Sequence, residues 1–406
     1  MMTVEEARAA ILARFSPLPA EAIAVTDALG RVLAEDAVAA EDLPSFANSA
    51  MDGYALLAAD SLGAGDATPR RLALAGEVPA GSIYDGMLQP GAAVRILTGA
   101  PVPAGADAVI QQELTQAGDD WVEVQAEVEP GTNIRDAGSD VRRGTLLAHG
   151  GTEIGPAEIA LLAALGVNPV RVTRRPRVAI LATGDELAAQ GTPPGPGQIR
   201  DSNSPYLAAA VARAGAEPWV LGIARDNADE LRAHLAQAAG ADLVLTSGGV
   251  SVGTYDLVKQ VLAEQGTMEF WRVRMRPGKP LAFGALGDTP LLGLPGNPVS
   301  TAVTFELFGR PAIRRLLGCA MVERPAVEVE LAGEPIARGD RRHYVRVRLE
   351  SRAGRLVATP TGPQGSHVIT SLLGASALLV VAEGDGKIMP GEHATALLLA
   401  DALPWG

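Results

Sequence analysis

Cysteine is nearly absent. The 406-residue chain has one, Cys319. No disulfide can form within the chain, and a reducing compartment fits that usage. Cys319 follows Leu316-Leu317-Gly318 and reads as a small buried filler at a helix end, not as a nucleophile. Aromatic residues make up only 4%, so the cores must be built from Ala, Leu and Val. The five histidines, at 149, 234, 343, 367 and 393, do not cluster. No HExxH spacing occurs, which speaks against a zinc hydrolase. No GxxxxGK[ST] loop and no GxSxG elbow occur either. No run of 18 apolar residues is present, so no membrane span is expected. The first residues carry Glu5 and Glu6 and lack a basic-then-apolar leader, and a cytoplasmic protein follows. Positive charge is in deficit: 34 Lys and Arg against 47 Asp and Glu give a net charge of −13. That argues against general nucleic-acid binding.

Hydrophobic residues amount to 47%, ample for globular folding, and the length calls for several domains. Residues 3–14 read as a helix, with Thr3 and Glu6 spaced as a capping box. Residues 43–141 carry short alternating segments and many Gly and Pro, the mark of a small β module. Residues 156–166 form a second helix, opened by Pro156 and closed by Gly166. The module therefore reads as an insertion into a discontinuous domain of residues 1–42 and 142–173. From 174 to 320 strands and helices alternate, as in a doubly wound α/β domain with a parallel sheet. Strands are expected at 177–181, 218–223 and 242–246. Helices are expected at 203–214, 227–239 and 257–265, with a long one from Asn297 to Leu317. Residues 321–406 return to strands, at 326–332, 342–350, 355–359, 376–382 and 394–399, and read as a β-barrel or sandwich.

The segment TSGGVSVGTYD, residues 246–256, places a glycine turn between a buried strand and a helix. Gly248 and Gly249 allow positive φ and close backbone approach, and Ser251 adds a hydroxyl. Such a turn cradles an anion on backbone amides at a helix start. A second turn, Gly293-Leu294-Pro295-Gly296-Asn297-Pro298-Val299-Ser300, follows another apolar run. Either could be a plain tight turn. Two in one α/β region point to a ligand crevice at the carboxyl ends of the strands.

Asp185 and Glu186 follow the first α/β strand. Adjacent carboxylates there suit Mg²⁺, which takes oxygen ligands and bridges to phosphate; a turn cap beside a solvated acid is the plain alternative. Asp226, Asp242 and Asp256 also read as caps or surface charges, but Asp256 shares the turn with the anion cradle. In RVRMRPGKP, residues 272–280, Arg272, Arg274 and Arg276 fall on one face of an extended chain, and Lys279 follows in a turn. The run is either edge protection or a clamp for an anionic ligand. A second basic run holds Arg341, Arg342, Arg346 and Arg348, so a joint site requires domains or subunits to meet. Asp52-Gly53 is ordinary hairpin chemistry.

NSAMDGYA, RILTGAPVP, TGDEL, TSGGVSVGTYD, MRPGKP and GLPGNPVS occur in that order. Together they resemble the molybdopterin molybdenumtransferase (MoeA) family, which includes the E domain of gephyrin. The resemblance implies a multidomain α/β plus β fold, with a molybdopterin-binding-like centre, an inserted β module and a β-barrel-like tail. It implies insertion of molybdenum from molybdate into adenylylated molybdopterin, release of AMP, and use of Mg²⁺. It implies a homodimer whose cleft joins the α/β domain of one subunit to the β module of the other. The adenylyltransferase and molybdoenzyme chaperones are implied as partners. Carried onto this sequence, the functional positions are Asp52, Thr98, Asp140, Glu186, Asp226, Asp256, Lys279, Arg346 and Ser366. Glu186 and Asp256 are the implied metal ligands. Gly248, Gly249, Ser251, Arg276, Pro295, Gly296, Asn297 and Ser300 complete the substrate site. The family often has KPGKP where Arg276 stands here, and a planar fork replaces a point charge. An adenylyltransferase and a non-catalytic scaffold are the competing functions.

Overall fold

The computed structural model describes residues 1–248, 261 and 266–399. Gly249, Ser251, Asp256 and the helix expected at 257–265, apart from Val261, lie outside them.

Helix α1 (Val4–Leu12) opens with the expected capping box: the Thr3 hydroxyl accepts from the Glu6 amide, and the Glu6 carboxylate accepts from the Thr3 amide. Its buried Val4, Ala7 and Ile11 enter the core of the α/β domain. Strand β1 (Ala20–Ile23) then leads toward the β module. There β2 (Gly53–Leu56), β3 (Arg70–Val78), β4 (Ala92–Ile96), β5 (Ala108–Gln111), β6 (Thr115–Ala117) and β7 (Trp121–Val124) form one sheet in the order β5-β2-β4-β3-β7-β6. Helix α2 (Pro156–Ala164) starts at Pro156, and Gly166 has φ +67°, the left-handed conformation that ends a helix. Strand β8 (Val170–Thr173) pairs antiparallel with β1, so the chain before the module meets the chain after it.

The α/β domain comprises β9 (Arg177–Thr183), α3 (Asn203–Arg213), β10 (Glu217–Ala224), α4 (Ala228–Gln237), β11 (Leu243–Ser247), β12 (Gly266–Arg272), β13 (Met275–Arg276), β14 (Pro280–Leu286) and β15 (Thr289–Leu294). Sheet order is β10-β9-β11-β15-β14-β12. Period-2 alternation separates the two faces. Val178 and Ile180 join α1, α3 and the last helices, whereas Ala179 and Leu181 join Leu231 and Leu235 of α4. The expectation of a parallel sheet needs correction. β10, β9, β11 and β15 are parallel, but β14 runs antiparallel to β15, and β12 pairs antiparallel with β14 and so points the same way as the other four. The reason is the two-residue turn Gly287-Asp288, with Gly287 at φ +58°, which folds β14 directly onto β15.

The long helix is continuous but not uniform. α5 (Pro298–Thr304) passes through a widened turn, Phe305–Gly309, into α6 (Arg310–Leu316). Pro311 has no N–H to give to the preceding turn, and the ladder widens there. Cys319 is buried just beyond, and burial pushes its thiol up to about 11. Strands β16 (Ala326–Leu331), β17 (Arg342–Arg352), β18 (Arg355–Pro360), β19 (Ala377–Val381) and β20 (His393–Leu398) close into a barrel, each paired with the next around the ring β17-β18-β16-β20-β19-β17. Closure leaves the barrel no open edge. β13 pairs parallel with β17, with Arg276 opposite His343, so the two basic runs meet within one chain.

Candidate active site

β9 is the switch point of the α/β sheet. The chain leaves it toward β10 on one side, and β11 lies on the other. Ligand crevices form where neighbouring connections diverge in this way. A cleft of about 510 Å³ opens there, lined by Thr183, Glu186, Asn203, Gly248, Gly296 and Ser300, among others. Gly248 has φ +94°, and a Cβ on it would stand 2.5 Å from the Thr183 carbonyl oxygen. Only glycine fits. Gly296 faces it from the second turn. Gly248, at the described start of the first proposed anion loop, and the second loop therefore open on one crevice.

Asn203 ties the two turns together. Its Nδ2 donates to the Ser247 hydroxyl and to the Gly296 carbonyl, both at 2.7 Å. Asp201 holds Asn203 in place. The buried Asp201 carboxylate accepts from the amides of Asn203 and Ser204, each at 3.0 Å, and so starts α3. Motif analysis of the sequence missed both residues. The available signal was Asp201-Ser202-Asn203 directly ahead of a helical pattern.

The carboxylates gather at the ends of β9 and β10. Asp185 Oδ1 accepts from the Asp226 amide at 3.1 Å, and the Asp185 carbonyl accepts from the Arg225 guanidinium at 2.8 Å. Burial, together with the charges of Asp185 and Glu186, raises the Asp226 carboxyl above its ordinary value. Among the described residues, no three metal-binding side chains converge on a point. Asp242 belongs to a different place. It is bound by both Arg174 guanidinium nitrogens, at 2.8 and 2.6 Å, and by the Arg177 amide.

A second cleft, of about 410 Å³, adjoins the first and shares Pro280 and Ser300 with it. Arg276, Lys279, Arg341, His343, Gln364 and Ser366 line it, with no acidic residue among the lining. The alternation inferred for 272–276 holds: Val273 and Met275 are buried, and Arg272 and Arg274 are exposed. Arg276 donates to the Ala337 carbonyl at 2.8 Å, which braces it against the barrel. The Lys279 carbonyl accepts from the Val273 amide at 2.9 Å, but its ammonium has no hydrogen bond or ion pair among the described residues. Burial and the charges of Arg276, Arg346 and Arg341 push His343 down to about 4, so the ring is neutral at pH 7. Asn297 Nδ2 donates to the Ser366 hydroxyl at 3.2 Å, which docks the barrel loop on the start of α5.

Three family models cover the chain in order: the MoeA N-terminal region (domain I and II) over residues 2–166, a probable molybdopterin binding domain over 179–315, and the MoeA C-terminal region (domain IV) over 328–399. Molybdopterin molybdenumtransferase 2 of Mycobacterium tuberculosis is 40% identical over 378 residues, covering 91% of this chain and 93% of the relative. The chain belongs to the MoeA family. The molybdopterin molybdenumtransferase of a Nostoc species is 41% identical, covering 91% of this chain and 86% of that protein. The crystal structure of the Pyrococcus horikosii molybdopterin biosynthesis moea protein matches with a TM-score of 0.86 and 32% identity, over 99% of this chain and all of that one.

Not every position carried over from the MoeA family lies in the clefts. Arg346 does not line either one. Along β17, Val345 and Val347 point into the barrel, so Arg346 points outward beneath the loop at 364–371. It is 0% exposed and donates to Ser371 Oγ at 3.1 Å and to the Gly365 carbonyl at 3.4 Å. The structure thus places it behind the loop that carries Ser366. Asp52 and Thr98 meet in the β module: the Thr98 amide and hydroxyl both donate to Asp52 Oδ1 at 2.7 Å. Those two bonds hold the Asp52 carboxyl below its usual range. Asp140 is exposed, with its amide on the Leu43 carbonyl at 3.0 Å. Among the described residues, none from 43–141 lines either cleft.

Proposed function

We propose that the chain inserts molybdenum from molybdate into adenylylated molybdopterin and releases AMP. The adjoining clefts are the observation that carries this reading. One presents glycine turns and carboxylates, and the other presents Arg276, Lys279 and Arg341 across the shared Pro280 and Ser300. The adenylylated end of the substrate occupies the first, and the oxyanion occupies the second. Backbone amides of the turns orient the phosphates. Lys279 and Arg276 offset negative charge as the adenylate leaves. Ser366 and Asn297 close the junction, with Arg346 supporting the loop from behind.

The hard oxygen donors of Glu186, Asp185 and Asp226 suit Mg²⁺, and their mutual repulsion favours a cation there. Glu186 and, by resemblance, Asp256 would hold it. Bound there, the ion would supply charge neutralisation at the phosphoanhydride. Asp52, Thr98 and Asp140 act from a second copy of the chain, which completes the cleft in a homodimer. The protein works in the cytoplasm and receives its substrate from the adenylyltransferase.

The test is incubation with adenylylated molybdopterin, molybdate and Mg²⁺, following AMP and pterin-bound molybdenum. Molybdate-dependent AMP release is expected, and Glu186→Gln lowers it by roughly 100-fold. Molybdate-independent formation of the adenylylated pterin from ATP would replace this reading with that of an adenylyltransferase.

A further inference from the structure

Asn203 does more than tie two turns together. The Gly296 carbonyl can only accept, so the Asn203 atom 2.7 Å from it must be the nitrogen. The same nitrogen serves Ser247 Oγ. Both Nδ2 hydrogens are therefore committed, and flipping the amide would set Oδ1 against a carbonyl oxygen. The amide orientation follows from its partners. Asp201 removes the remaining freedom by fixing the Asn203 backbone. What Asn203 retains is Oδ1, an acceptor with no partner among the described residues, on a half-buried side chain that lines the 510 Å³ cleft.

We infer that Asn203 is a specificity residue whose Oδ1 accepts a hydrogen bond from an O–H or N–H of the nucleotide part of the ligand. This rests on the proposed adenylylated substrate and assigns a donor-reading contact within that cleft. A carbonyl oxygen repels an oxyanion, so the contact selects against phosphate or molybdate at this spot and directs them toward the amides and Lys279. The donor is a ribose hydroxyl or the adenine amine, because those are the groups on a nucleotide with hydrogen to give. A site built around a committed acceptor loses affinity when the ligand lacks that donor, since the acceptor is left without a partner.

The experiment is calorimetric binding of AMP, 2′-deoxy-AMP, 3′-deoxy-AMP and purine riboside 5′-monophosphate to the full chain. In the wild type, one of the three analogues binds about tenfold more weakly than AMP. Which one it is distinguishes the hydroxyls from the amine. In Asn203→Ala that ratio collapses to near one, whatever the overall affinity. Ser247→Ala removes one anchor of the amide but leaves Oδ1, and it keeps the wild-type ratio. Because the readout is a ratio between ligands, a general loosening of the turns does not mimic it. Equal binding of AMP and all three analogues by the wild type overturns the assignment to Asn203 without help from any variant. An undiminished ratio in Asn203→Ala overturns it too. If the wild type binds no AMP while it still binds molybdate, the nucleotide reading of the cleft falls, and this inference falls with it.

Discussion

A Cβ on Gly296 would lie 3.6 Å from Gly248 Cα, so the gap between these two glycines across the crevice is one that a single methyl would fill. The two glycines meet different demands. Gly248 needs its left-handed φ of +94° and the space against Thr183, whereas Gly296 has neither constraint. Gly248→Ala is expected to destabilise the fold by about 2 kcal/mol or more. Gly296→Ala is expected to cost under about 1 kcal/mol and to act mainly by narrowing the cleft. Urea unfolding of both variants checks the first claim, and nucleotide binding checks the second.

Lys279 is a cation of the second cleft whose ammonium has no partner among the described residues. Lys279→Ala should therefore leave the melting temperature nearly unchanged. It should weaken molybdate binding about tenfold, the worth of one well-placed charge–anion hydrogen bond. Titration with molybdate at low and high salt tests this. A large drop in stability with unchanged affinity would contradict it.

His343 adds a pH dependence to stability. In the unfolded chain it takes a proton near pH 6.5, but in the folded protein only near 4. Between those values the unfolded state holds more protons, so stability falls as pH falls. The residue's share of that loss approaches about 3 kcal/mol by pH 4. Above pH 7 both states are neutral and the contribution is flat. His343→Gln should flatten the difference between pH 7 and pH 4.5 in denaturant titrations relative to the wild type.

Asp52 and Glu186 lie in different modules, and no residue of 43–141 joins the clefts among the described residues. If a second copy supplies Asp52, then Asp52→Asn and Glu186→Gln are each inactive alone but complement on mixing. Random reassociation of a C₂ dimer with two shared sites restores about a quarter of wild-type activity. Continued inactivity of the mixture, with heterodimers demonstrated by mass, would mean that each site needs Asp52 and Glu186 from the same chain.

Much of the architecture was legible in residue order. Thr3 and Glu6 announced the first helix, and Pro156 and Gly166 bounded the second. The strands of the parallel sheet and the barrel showed as apolar runs or period-2 alternation. These signals are local: capping, turn chemistry and side-chain alternation depend on neighbours a few residues away. The exposed and buried faces of 272–276 were readable for the same reason.

Tertiary structure decided what those local signals leave free. It turned β14 antiparallel to β15, buried Arg346 behind the loop that carries Ser366, and set Arg276 opposite His343. It also brought Asn203 to Gly296, 93 residues away in sequence. Strand order and packing determine which turn ends face each other, and neither is written in a short window of sequence. The residue types at the glycine turns and the basic run were therefore set by sequence alone. Their convergence on adjoining clefts required the folded sheet and the barrel docked against it.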